Sequence, residues 1–254
     1  MNETIRTQLD HRTIREFTDE PVSEEILGTL FEVAMHTATS RGMQNASIIW
    51  VKDENKKRAL AEVNKQEYVG RTPVYLLFIV DFARAAAVLQ ESGIDDLAGA
   101  STMDVFIEGF TDACLMAQNV AVAAETLGLG TTFLGGVLND PKKVIEILDL
   151  PALTFPALGL MIGYPNQEPQ LKPRMAKELR VMVDGYQRPD SWSEELTDYD
   201  AQMHTYYDLR NANRREDTFT DQIRKKYSKI RSRRAQVMVD IAEQGFHWVT
   251  DRGE

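Results

Sequence analysis

The chain has 254 residues, with 29 Lys and Arg against 39 Asp and Glu, for a formal net charge of -10. That length suits one α/β core with a terminal extension better than two separate cores, and the charge argues against a protein whose main task is coating nucleic acid or an anionic membrane. The single cysteine, Cys114, excludes an intrachain disulfide framework and a multi-cysteine metal site; without a hydrophobic signal core or the roughly 18 uninterrupted apolar residues that spanning needs, a soluble cytoplasmic protein is expected.

Residues 2–10 read as a short helix, and His11-Arg12-Thr13-Ile14-Arg15 as an extended or looped segment with three potential cations. Ser23-Glu24-Glu25 opens a helix: the serine caps it, the glutamates suit its dipole, and Ile26, Leu27, Leu30, Phe31 and Ala34 form an apolar face. A polar, turn-rich loop follows over 37–42. Residues 47–51 have β composition, Asp53 caps a helix through about Asn64, and 74–80 is a nearly continuous apolar strand of the kind buried on both faces. Residues 103–127 form a long apolar helix whose Ala113, Ala117, Ala121 and Ala124 allow close approach of another helix, with Gly128 as its C-cap.

The run 130–136 reads as a strand entering a glycine turn, Asp140-Pro141 opens a helix through Asp149, and 157–163 is a last strand stopped by Tyr164-Pro165. Residues 167–173 form a proline-rich loop, and beyond Ser193 the chain turns helical and more charged. The expected fold class is an α+β sandwich, with a central mixed sheet of four or five strands flanked by helices. A doubly wound nucleotide fold is disfavoured, because no G-x-G-x-x-G follows the first strand and Gly128-Leu129-Gly130 precedes a strand rather than opening a helix.

Three segments point to chemistry. In extended backbone, positions 11, 13 and 15 share one side, so imidazole, hydroxyl and guanidinium suit a phosphate monoester or an electron-rich ring edge. In Lys172-Pro173-Arg174 the proline stiffens the loop, and a rigid cationic pair binds phosphate at a lower ordering cost. In Phe133-Leu134-Gly135-Gly136 the missing β-carbons let a planar ligand approach backbone N–H donors. Taken singly, these are also a solvated basic turn, a surface cation pair and an ordinary glycine turn.

In their order and separations the three resemble the nitroreductase family, specifically its larger NADPH-linked group that includes flavin reductases. The likeness runs through His11-Arg12-Thr13-Ile14-Arg15-Glu16-Phe17-Thr18-Asp19-Glu20-Pro21, Met116-Ala117-Gln118-Asn119, Gly163-Tyr164-Pro165, Leu171-Lys172-Pro173-Arg174 and Asn213-Arg214-Arg215. It implies bound FMN, with His11, Arg12, Thr13, Lys172 and Arg174 around the phosphate and Arg15 at the N1 and O2 edge of the ring. Thr39, Gln66, Tyr68, Phe133, Leu134, Gly135 and Gly136 are the remaining implied flavin contacts, and Arg210, Arg214 and Arg215 the implied NADPH 2'-phosphate site.

The resemblance further implies a homodimer with flavin contacts from both subunits. Its nitroreductase-like core would span 1–192, and a helical extension over 193–254 would wrap the partner. The implied reaction is ping-pong hydride transfer from NADPH, or NADH, to nitroaromatics, quinones, azo compounds or free flavin, with no catalytic side chain and no metal. A flavin-binding sensor without turnover is the alternative.

Two departures stand out. Close relatives carry Gly-Gly-x-Arg-Asn where this chain has Gly135-Gly136-Val137-Leu138-Asn139, which leaves nicotinamide preference and acceptor choice open. In the loop that is serine-rich in relatives, Arg41 reads as a solvated loop arginine or as a cation recovered for the pocket. The basic stretches Arg224-Lys225-Lys226 and Lys229-Ile230-Arg231-Ser232-Arg233-Arg234 could follow phosphates, but the overall charge is against a nucleic-acid module.

Overall fold

The computed structural model describes residues 1–211, 217–230 and 234–249, with backbone alone for 207–211. They fall into two units, one of Met1–Glu168 with Ser232–Glu254 and the other of Pro169–Arg231.

The first unit is built on four strands: β1 (Ala46–Trp50), β2 (Val74–Asp81), β3 (Gly130–Leu134) and β4 (Thr154–Gly163), in the order β1-β2-β4-β3. Around them run α1 (Glu3–Leu9), α2 (Glu24–Met35), α3 (Glu54–Asn64), α4 (Ala83–Glu91), α5 (Met103–Thr126) and α6 (Pro141–Leu148). Side chains alternate across a strand, and β2 uses both faces. Val74, Leu76 and Phe78 join Leu27 and Leu30 of α2 and Ala113, Ala117 and Ala121 of α5 on one side. Tyr75, Leu77 and Ile79 join Leu60 and Val63 of α3 and Val144 of α6 on the other. Both layers of helix thus grip the same strand, and truncating Leu76 or Leu77 to alanine is expected to cost about 2–5 kcal/mol.

A third cluster closes one end of the sheet. Phe82, Phe106, Phe155 and Phe246 meet there, with Phe106 5.1 Å from Phe246 and 5.5 Å from Phe155 between ring centroids. Phe246 follows a helix, Val237–Glu243, that belongs to the same unit.

The helical sandwich is as expected, but the strand directions are not. All pairings among the four strands are antiparallel, and parallel pairing among the described residues is confined to isolated bridges, Thr13 with Thr131 and Thr102 with His247. The sheet expected to be mixed is antiparallel because β2 and β3, which run in the same direction, are kept apart by β4 between them. β4 also begins three residues earlier than its apolar run suggested. Pro156 lies inside it, opposite Ile79, where the register shifts; a residue with no N–H is accommodated at such an irregularity. The alanine-rich α4 was not foreseen, although its composition favours helix.

In the second unit, Thr197–Asn211 and Phe219–Tyr227 are its two longer helices. Tyr199 and Phe219 meet edge to face at 5.1 Å, and Asp200 accepts from the Thr220 amide (3.0 Å) and hydroxyl (2.5 Å).

Candidate active site

The segment from His11 to Thr18 is a strap stitched along the β3–β4 side of the sheet. Ile14 donates its amide to Thr131 O (2.9 Å), and Thr132 Oγ1 donates to Ile14 O. The amides of Arg15 and Glu16 both donate to Gln167 Oε1, at 3.3 and 2.9 Å. Beyond them Asn166 N donates to Glu16 O and Thr18 N to Tyr164 O, each at 2.9 Å. Ile14 is buried against Gly130, where a Cβ would lie 2.7 Å from its side chain. Gly130 therefore sets how closely the strap docks on β3.

Two of the expected phosphate donors on the strap, His11 and Arg12, are held by local carboxylates. His11 Nδ1 pairs with Glu125 Oε1 at 2.7 Å, and the same oxygen accepts from Thr131 Oγ1 at 2.6 Å. Arg12 Nη1 binds Asp10 Oδ2 at 2.6 Å, while its Nε is buried and donates to no described group. Arg71 donates to Glu16 Oε2 at 3.1 Å, and that hydrogen bond raises the guanidinium's pKa above its ordinary value.

β3 carries the strap beside its first residues and ends in the turn Gly135–Asn139. Phe133 packs against the α2–α5 core and Leu134 is buried. Among the described residues, a Cβ on Gly135 would meet only the Arg234 guanidinium within 4 Å, at 3.8 Å, whereas one on Gly136 would lie 2.4 Å from Asn64 Oδ1. The open side of the turn is thus at Gly135, and Gly136 is demanded by Asn64 behind it. Asn64 ends α3; Lys65 takes φ +55°, and the turn Glu67–Arg71 follows at once. Gln66 caps that turn and Tyr68 within it packs against the second cluster. Tyr75 lies below, where burial pushes its phenol's pKa well up and the nearby Asn64 amide opposes the shift.

Thr39 is elsewhere. Its loop carries left-handed backbone at Arg41, Gly42 and Gln44 and hangs from α5: the fully buried Asp112 accepts from Ser40 N (2.8 Å) and Asn45 N (3.3 Å), and Asn119 donates to Thr37 Oγ1 (3.0 Å). With Phe31, Gln44, Ser47, Ile48, Trp50 and other residues, Thr39 lines a cavity of about 430 Å³ beside β1. β1 and β3 are opposite edges of the sheet. Asp112 and Glu125, which anchor the loop and the strap, lie 13 residues apart on α5, about 20 Å of helix. Within one chain the structure does not bring Thr39 to the strap.

Arg41 is held by Glu108 of α5 and is not directed to the strap. Leu138 turns inward against the second and third clusters, so the position where the family resemblance implies an arginine is packing here. Sequence reasoning missed Arg234, which donates to Gly135 O from the returning C-terminal segment. Its basic run, 224–234, had been weighed only for nucleic acid, and nothing local marked one arginine as reaching back 99 residues.

Lys172 and Arg174 belong to the second unit, where Arg174 donates to Lys172 O at 2.8 Å. Arg214 and Arg215 lie outside the described residues, and Arg210 lies in a helix described there by its backbone alone.

Residues 9–164 match the family model described as Nitroreductase family, and residues 172–248 the one described as Nitroreductase family, C-terminal domain. The FMN reductase (NADPH) of Bacillus subtilis is 36% identical over 225 residues, 88% of this chain and 90% of that one. The oxygen-insensitive NADPH nitroreductase of Salmonella typhimurium is 34% identical over 251 residues, 98% of this chain and 100% of the other. The solved structure of the NADPH:FMN oxidoreductase from Vibrio harveyi complexed with NAD+ superposes with a TM-score of 0.86 at 30% identity, covering 96% of this chain and 99% of that one. On family models that together span most of its length and on relatives matched nearly end to end, the chain belongs to the nitroreductase family.

Proposed function

We propose that this protein is an FMN-dependent NAD(P)H oxidoreductase, with NADPH as the preferred donor, that reduces nitroaromatics, quinones, azo compounds or free flavin. The observation that carries the reading is the convergence on β3 of a donor-rich strap and an open glycine turn. The donor set fits a phosphate monoester: imidazole, hydroxyl and guanidinium lie on consecutive residues, and Arg12 Nε is a buried donor with no described acceptor. The turn fits a flat ring, since Gly135 has no side chain to stand in its way.

In this reading His11, Arg12 and Thr13 hold the phosphate, and the family resemblance adds Lys172 and Arg174. Arg15 faces the N1 and O2 edge of the ring, where a cation favours added electron density. Phe133, Leu134, Gly135 and Gly136, with Gln66 and Tyr68, form the shelf, and Arg234 flanks it as a further cation. Bound FMN supplies acceptance and donation of hydride, so no side chain has to serve as nucleophile or acid. The chain's work is to orient a nicotinamide and then an acceptor on the same shelf, to exclude water and to present fixed positive charge. Arg210, Arg214 and Arg215 take the 2'-phosphate of NADPH.

The opposite placement of Thr39 favours a homodimer, each copy offering its Thr39 loop to the other's flavin. A single, half-buried thiol suits a reducing cytoplasm, and no helix among the described residues is long and apolar enough to cross a membrane.

The test is an anaerobic absorption spectrum of the purified protein with FMN. NADPH is expected to bleach the flavin bands, and menadione or nitrofurazone to restore them. A stable yellow complex that NADPH leaves unchanged would identify a sensor, and protein that takes up no FMN would end the proposal.

A further inference from the structure

We propose that Gln167 is a positioning residue for the flavin ring: its side-chain carbonyl fixes the backbone at Arg15, and so the place from which that residue serves the ring edge. This rests on the FMN reading above and assigns a part to a residue outside the expected contact set.

The strap docks in two halves. Thr13 and Ile14 lie along β3, where Thr13 bridges Thr131 and Ile14 N donates to Thr131 O. Residues 16–18 run instead against the segment that follows β4: Phe17 bridges Pro165, Asn166 N donates to Glu16 O, and Thr18 N donates to Tyr164 O. Arg15 is the changeover between them. Among the described residues its one hydrogen bond runs from its amide to Gln167 Oε1, at 3.3 Å. The same oxygen accepts from Glu16 N at 2.9 Å. In an antiparallel pair that second bond would return to Asn166 O, so the Gln167 side chain stands in for the next rung. Consecutive amides of an extended chain face opposite ways, and they converge on one acceptor where the chain turns. The strap therefore turns at Arg15, and Gln167 holds the turn.

Arg15 is partly buried, and among the described residues its guanidinium meets no carboxylate, whereas Arg12 is paired with Asp10 and Arg71 with Glu16. A partly buried cation without a counter-charge is costly, and an electron-rich ring edge offsets that cost. Gln167 suits the task because it is neutral. It accepts both amides without setting a negative charge beside Arg15, as a glutamate there would. A backbone held before the ligand arrives also lowers the ordering cost of binding.

The test reads the midpoint potential of FMN bound to the full-length protein, with the FMN dissociation constant measured beside it. A cation at the ring edge favours the electron-rich reduced form. Arg15→Ala should thus weaken reduced FMN about tenfold more than oxidised FMN, lowering the potential by about 30 mV for a two-electron couple. Gln167→Met, of similar length but with no oxygen to accept an amide, should lower it similarly, and the two together should go no further. A wild-type potential in Gln167→Met, with only the melting temperature or the affinity for both redox forms reduced, makes Gln167 a structural tether and overturns the proposal. Should that variant not fold, Gln167→Asn, whose carbonyl falls one methylene short, has to show the same fall in potential; a wild-type value there overturns it as well. If Arg15→Ala itself leaves the potential unchanged, the ring-edge reading of Arg15 fails and the inference falls with it. Protein that takes up no FMN ends the cofactor reading instead.

Discussion

Gly136 stands so close to Asn64 that a Cβ on it would lie 2.4 Å from Oδ1 and 3.0 Å from the Asn64 Cα. Asn64 cannot easily yield, because it is buried and its Nδ2 donates to Leu60 O at 2.8 Å. Gly136→Ala is therefore expected to lose about 1–3 kcal/mol of stability, as overpacked sites do, and to retain FMN less well. Adding Asn64→Ala should recover part of the loss in urea denaturation; full stability in the single variant would show that the turn is looser than its packing indicates.

Leu138 offers a test of the family departure. Restoring the arginine of close relatives would push a guanidinium against the two apolar clusters Leu138 now touches. Leu138→Arg should destabilise by about 1–3 kcal/mol without lowering KM for NADPH. A stable variant with improved NADPH kinetics would mean that this site tolerates the relatives' geometry after all.

Asp112 holds the Thr39 loop through two backbone amides from a fully buried position. Asp112→Ala leaves those donors without their acceptor, at about 1–3 kcal/mol. If the loop serves the flavin of a second copy, FMN dissociation should also accelerate, though Asp112 lies about 20 Å along α5 from Glu125. Unchanged FMN release at equal dimer content would remove the loop from the cofactor site.

Arg210→Ala should raise KM for NADPH roughly tenfold, as for a lost charge-assisted contact, and leave KM for NADH nearly unchanged. Steady-state kinetics with both donors decide it, and equal changes would take Arg210 out of the 2'-phosphate site.

Much of this architecture could be read from local pattern. Ser23, Asp53 and Asp140 cap helices as their sequence neighbours suggest, and the unbroken apolar run of β2 is buried on both faces. The His11–Arg15 segment was recognisable from its alternation, because strap geometry is local. Strand direction was not, since it depends on how distant segments return. Nor was Glu125: its partner His11 is 114 positions away, and a glutamate near a helix end looks like any solvated residue. Arg234 and Leu138 escaped for the same reason, one reaching a distant carbonyl and the other folding under the turn.

The separation of the two anchor points on α5 has a thermodynamic consequence. If a flavin is gripped by the strap of one copy and the Thr39 loop of another, occupancy and subunit association are linked, and each strengthens the other by the same free energy. Dilution should then bleed cofactor from the protein, and added FMN should draw separated copies together.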